Sequence, residues 1–211
     1  MRFNEQGRSM IEMLGVLAIV GVLSVGGIAG YSKAMNKFKT NKLIEQVNMI
    51  STNIRTLYAS QRSYEGLTNG VAVRTGVLPN EMVDSTVNVT QPSQVTSTGI
   101  INAFSGNVYI TYAPAKAGDT AGAFIIAMDK IPEASCVSIA TTEWGGDAGG
   151  GLLAMAISNT DEATAVSGDS SGLTVTSGSV YTIGANQLPV GVAQASVDCE
   201  GAENMIAWKY M

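Results

Sequence analysis

From Met13 to Ala29 the chain carries no charged side chain, and the first lysine after that run is Lys33. At a rise of about 1.5 Å per residue, a helix from Ile11 to Tyr31 matches the roughly 30 Å of a bilayer's hydrocarbon core. One residue is out of keeping with such a segment: Glu12, a carboxylate at its entrance. An ionisable group at the end of a membrane-length apolar stretch is costly unless a cation neutralises it, most usefully a cation on another molecule. The segment predicts one bilayer crossing and a carboxylate in need of a partner.

Three readings compete for it. A cleaved secretory signal has a basic leading region, an apolar core of about 7 to 15 residues and small residues before the cut. Gly27 and Ala29 would permit a cut, but the core is long and Glu12 interrupts its entrance. A plain membrane anchor explains the length and leaves Glu12 and the short polar leader without a purpose.

The third reading rests on the order Gly7-Arg8-Ser9-Met10-Ile11-Glu12 running into the apolar helix. This order resembles the processing site of type IV prepilins and pseudopilins over about the first fifty residues. The resemblance implies a membrane peptidase that cuts after Gly7 on the cytoplasmic side and methylates the new amino terminus at Arg8. Glu12 would then be the family's assembly glutamate. The chain departs from the family pattern in having Arg8 where an apolar residue is usual, and in having no proline before Pro79. Arg8 and Glu12 are spaced i, i+4 and could pair within one helix. Glycines at 21, 26, 27 and 30 supply helix weakness in place of a proline, each at about 1 kcal/mol relative to alanine.

Past Gly30 an apolar stripe continues: Tyr31, Met35, Phe38, Ile44, Val47, Ile50, Ile54 and Leu57, mostly three or four residues apart. A helix from Ile11 to about Arg62 would be on the order of 75 Å long, a stalk rather than a globular core helix. Its second half is expected to pack under the chain's own domain, and its first half against other subunits. Residues 8–62 hold seven basic and two acidic residues, net +5; residues 63–211 hold four basic and fourteen acidic, net −10. A basic stem and an acidic head could attract one another between subunits, or the asymmetry could be a solvated surface. The lysines at 33, 37, 39 and 42 would, by the positive-inside rule, place their side of the span in the cytoplasm, whereas the resemblance places it outside.

The remaining roughly 150 residues suffice for one domain. Short alternating runs predict strands at 107–112, 123–128, 152–157, 180–183 and 205–210. Asp129-Lys130-Ile131-Pro132-Glu133 predicts a helix start, with Cys136 on that helix. Asn159 to Gly178 is polar and reads as a surface loop. The expectation is an α+β fold: a long amino-terminal helix, half membrane span and half amphipathic, packed on an antiparallel sheet. The segments are a leader at 1–7, a stalk at 8–62 (span at about 11–31) and a head at 63–211.

Cys136 and Cys199 are the only cysteines. In an oxidising compartment two cysteines most simply form a disulfide, with two buried free thiols as the alternative. A large disulfide-closed carboxy-terminal region resembles the type IVb branch of the pilins.

The absence of histidine excludes a Ser/His/Asp triad and most zinc sites. Asp147 to Gly151 lacks EF-hand spacing, and with Gly145 and Gly146 it reads as a flexible turn. Asp161-Glu162 could bind calcium or be a solvated loop pair. Trp144 and Trp208 could serve adhesion or core packing. An acidic head disfavours nucleic acid. No catalytic residue, metal or cofactor is expected. The reading is a structural subunit: a major pilin anchored in the inner membrane, with the prepilin peptidase, the pilus assembly machinery and further copies of itself as partners. A minor pilin or type II secretion pseudopilin, or a signal-anchored surface-binding protein, are the alternatives.

Overall fold

The apolar run and the striped segment after it form one helix, α1 (Met10–Tyr58), in the computed structural model, which describes residues 10–84, 99–144, 150–159, 166–169, 172–183 and 187–211. The leader with Gly7 and Arg8 lies outside the described residues, as do Asp161, Glu162 and the turn residues 145–149. Two units, Met1–Phe38 and Lys39–Met211, share the chain. In the first, the large apolar side chains of α1 are exposed, among them Ile11 at 80% and Val22 at 75%.

In the second unit, α1 buries Leu43, Val47, Ile50, Ile54 and Tyr58, spaced four, three, four and four, one stripe of an amphipathic helix. The expected stripe is shifted at its ends, because Phe38 and Leu57 are exposed and Leu43 and Tyr58 face inward. The helix ends at Tyr58, short of Arg62: Gln61 N–H bonds the Tyr58 carbonyl at 2.8 Å in a turn that brings Tyr64 back against the Tyr58 ring, centroids 5.3 Å apart. Tyr64 then donates from its backbone to the Ala121 carbonyl at 2.7 Å.

A short helix follows, α2 (Asn69–Arg74), whose amino end is capped by Thr68 Oγ1 accepting from Val71 N–H at 3.3 Å. The strands are β1 (Val108–Ala113), β2 (Ala123–Ile131), β3 (Leu152–Ser158), β4 (Val166–Asp169), β5 (Gly172–Val175), β6 (Ser179–Thr182) and β7 (Asn204–Tyr210), with α3 (Glu133–Ala140) after β2 and α4 (Val192–Asp198) before β7. Five of them form an antiparallel sheet in the order β1-β2-β7-β3-β6, and β4-β5 is a separate hairpin.

Alternation explains why both faces of this sheet are covered. Phe124, Ile126 and Met128 of β2, Met155 and Ile157 of β3, and Ile206, Trp208 and Tyr210 of β7 join the α1 stripe in one core. The opposite face carries Ala127, Ala154, Ala156 and Ala207 together with Ile125 and Met205, and closes beneath Val166 and Leu173 of the hairpin. All seven residues of the central strand β7 are consequently buried. Lys209 is among them, its Nζ donating to the Gly172 carbonyl at 2.9 Å.

The predicted helix start is corrected: Asp129, Lys130 and Ile131 belong to β2, and helix begins only at Glu133. Lys130 adopts φ 55°, and the register of β2 against β7 shifts between Met128 and Ile131, so the acidic and basic residues mark an irregular strand end. The segment expected as a surface loop, 159–178, contains β4 and β5. Both tryptophans are buried, their rings 5.0 Å apart, so the adhesive reading of Trp144 and Trp208 is replaced by core packing.

Candidate anchoring and assembly site

Glu12 lies in the first described turn of α1. Around it Met10, Ile11, Met13 and Leu14 are exposed, and the apolar surface continues through Ile28 to Tyr31. A soluble monomer rarely shows so large an apolar patch, and this one requires a membrane or protein neighbours. α1 is long and apolar enough to cross a membrane.

In the second unit, α1 is held to the head by specific polar contacts as well as by its stripe. Thr40 Oγ1 donates to Ser135 Oγ on α3 at 2.9 Å. Gln46 Oε1 accepts from Ala103 N–H at 3.1 Å, and Lys42 pairs with Glu81 at 3.1 Å. Arg55 donates from Nε to the Met211 carbonyl at 3.1 Å and from Nη2 to the Gly150 carbonyl at 2.6 Å, with its guanidinium 5.1 Å from the Tyr210 ring centroid. Burial in this corner pushes the Tyr210 phenol well above its ordinary range, against the opposing pull of Arg55.

The sequence places Cys136 on a helix, and the structure brings it to Cys199 at the end of α4, joined as a disulfide with Cα atoms 5.8 Å apart. Both residues are fully buried. Beside them Asp198 gathers three donors: Ser179 Oγ at 2.8 Å, Gln194 Nε2 at 3.2 Å and the Tyr181 hydroxyl. Desolvation, then the bond to Asp198, raises the Tyr181 phenol to about 12. This network ties α4 to β6 and was not legible beforehand, because Asp198, Ser179 and Gln194 follow no motif. Among the described residues no group of three or more His, Cys, Asp or Glu gathers where it could hold a metal ion.

The PilS N-terminal family matches residues 37–210 of the chain. Two curated relatives, each named as the major structural subunit of a bundle-forming pilus, come from Escherichia coli O127:H6 (strain E2348/69 / EPEC) and E. coli O111:H-. Each is 30% identical over 146 residues, covering 69% of this chain and 69% of the relative. The crystal structure of a type IV b pilin from Salmonella typhi is similar in fold, with a TM-score of 0.51 and 18% identity, over 81% of this chain and 98% of the other. With the exposed amino-terminal helix, the antiparallel sheet and the Cys136–Cys199 disulfide, these matches show that the chain belongs to the PilS family and has the type IV pilin fold.

Proposed function

We propose that the chain is the major structural subunit of a type IV pilus, held in the inner membrane by its amino-terminal helix and then assembled into an extracellular filament. The observation that carries this reading is the apolar surface of α1 from Met10 to Tyr31, exposed throughout on a helix whose continuation is built into the head's own core. Such a helix needs lipid before assembly and the helices of other copies afterwards. In this reading prepilin peptidase removes residues 1–7 by cutting between Gly7 and Arg8, residues 8–62 form the stalk, and residues 63–211 form the head on the filament surface.

Glu12 would pair with the free amine at Arg8 of a neighbouring subunit. Once lipid and water are excluded, one unpaired charge is expensive, so the pair fixes axial register as well as contributing attraction. Arg8, four residues before Glu12 in sequence, also carries a guanidinium that would compete for the same carboxylate. The test is Glu12→Ala: insertion into the membrane stays intact and filament yield falls. Normal filament yield from that variant would refute the register role. Sheared surface filaments composed mainly of this chain support the major-subunit reading, and a trace amount in them makes it a minor pilin or pseudopilin.

A further inference from the structure

We propose that Lys33 and Lys37 form a docking point for the anionic headgroup of a phospholipid in the leaflet on the head side of the span. The inference rests on the membrane reading of α1 given above.

Four lysines follow the apolar run, and the structure divides them into two pairs. Lys42 is bridged to Glu81 at 3.1 Å, and Lys39 Nζ lies 5.8 Å from the centroid of the Phe104 ring. Both are thereby engaged with the head. Lys33 and Lys37 are exposed, and the one carboxylate among the described residues of their unit is Glu12. At the helical rise, Glu12 is about 31 Å from Lys33, too far to pair with it.

Position along the helix selects the same two residues. With the hydrocarbon core ending near Tyr31, Lys33 stands about 3 Å and Lys37 about 9 Å beyond it, whereas Lys42 stands about 16 Å away. The polar layer of a bilayer is about 5 to 8 Å deep on each side. Lys33 is within it, and the long stem of Lys37 lets its ammonium snorkel back to the same depth. The two are spaced i, i+4, neighbours on one helix face, where like charges repel unless an anion lies between them. A lipid phosphate is the anion available at that depth. Gly26 and Gly30 lie on the same face, within about 60° of the lysines around the helix, so no side-chain bulk separates them from the acyl chains. Lysines on the side of the span where the positive-inside rule disfavours them thereby have a use.

The full chain in bilayers of equal phosphatidylglycerol and phosphatidylcholine, released into native mass spectrometry, tests this. The wild type should carry phosphatidylglycerol over phosphatidylcholine by roughly thirtyfold, the product of about fivefold for each lysine. Lys33→Gln with Lys37→Gln should bring the ratio to about unity. Lys33→Arg with Lys37→Arg, and Lys39→Gln with Lys42→Gln, should keep it. A wild-type ratio near unity, or a preference unchanged in the double glutamine variant, overturns the proposal. A lipid-free dimer that only the double glutamine variant loses overturns it in favour of a second copy as the occupant. A chain that retains neither lipid overturns the membrane reading along with it.

Discussion

The side chain of Asn69 stands in for a strand beside Ile110: its Oδ1 accepts the Ile110 N–H at 2.6 Å, while its Nδ2 donates to the Val108 carbonyl at 3.0 Å. β1 is an edge strand of the sheet, and an edge with free N–H and C=O groups is a template for unwanted pairing. A buried asparagine one residue past the α2 cap closes part of that edge within the chain.

Asn69→Ala leaves two buried backbone groups of β1 without their partner. At about 1 to 3 kcal/mol for each such group, the head should lose about 2 to 6 kcal/mol of stability. Urea denaturation followed by the near-ultraviolet signal of the buried Trp144 and Trp208 measures it, and the variant should also aggregate sooner. A loss under about 0.5 kcal/mol would mean that the Asn69 bonds are replaced by water at no cost.

The Cys136–Cys199 disulfide closes a loop with a sequence separation of 63. On the chain-entropy account such a cross-link stabilises by about 4 kcal/mol. Cys136→Ser with Cys199→Ser, or reduction of the wild type, should lower the urea midpoint accordingly. An unchanged midpoint would show that the packing of α3 on α4 suffices without it.

Asp119 organises the β1–β2 connection, its Oδ2 accepting from Ala115 N–H at 3.0 Å and its Oδ1 from Ala121 N–H at 3.1 Å. These backbone bonds hold its carboxyl below the usual range. A folded-state value below the unfolded one contributes stability above the unfolded value, and that contribution disappears as pH falls through the folded one. Asp119→Asn should therefore melt below the wild type at neutral pH, and the gap should close as the wild type is acidified below about pH 4. A gap independent of pH would assign the effect to geometry rather than charge.

For Tyr181 the sign is reversed. Its phenol is raised to about 12 by desolvation first and by Asp198 second. The stability attached to its neutral form is complete below the ordinary tyrosine value of about 10 and is lost as pH rises through the folded value. In a phenolate absorbance titration Tyr181 should ionise late, and Asp198→Asn should bring it earlier by removing the smaller, Coulombic part of the shift. A titration unaffected by that substitution would leave desolvation and the hydrogen bond, which an asparagine oxygen still accepts, as the causes.

What could be read from the sequence follows from which signals are local. The α1 helix announces itself by length and period, and β1, β2, β3, β6 and β7 lie near their predicted positions because each is a short apolar or alternating run bounded by turn residues. The hairpin β4-β5 has a weak local signal, because its buried residues Val166 and Leu173 are set in polar sequence and most of the surface they cover is alanine. Helices α2 and α4 have six and seven residues, too few for a 3.6-residue period to show. The strand character of Asp129 and Lys130 was hidden by charges that the fold accommodates individually. Asp129 accepts from Asn107 Nδ2 at 3.1 Å, while Lys130 turns outward at positive φ. Glu12, the residue proposed for assembly, stands out in the sequence because a carboxylate is out of place there. The contacts fixing α1 to its head, Thr40 with Ser135 and Arg55 with Gly150 and Met211, join residues far apart in sequence and have no local signature.

The central claim, a processed and polymerised pilin, is tested most directly by the intact mass and amino-terminal sequence of the chain in a sheared surface fraction, with and without reduction. The account predicts a chain that begins at Arg8, lacks residues 1–7 and gains two hydrogens on reduction of Cys136–Cys199. A chain cut near Ala29 would contradict it, since the stalk would be gone, and so would an intact Gly7–Arg8 bond, which would leave only a membrane anchor.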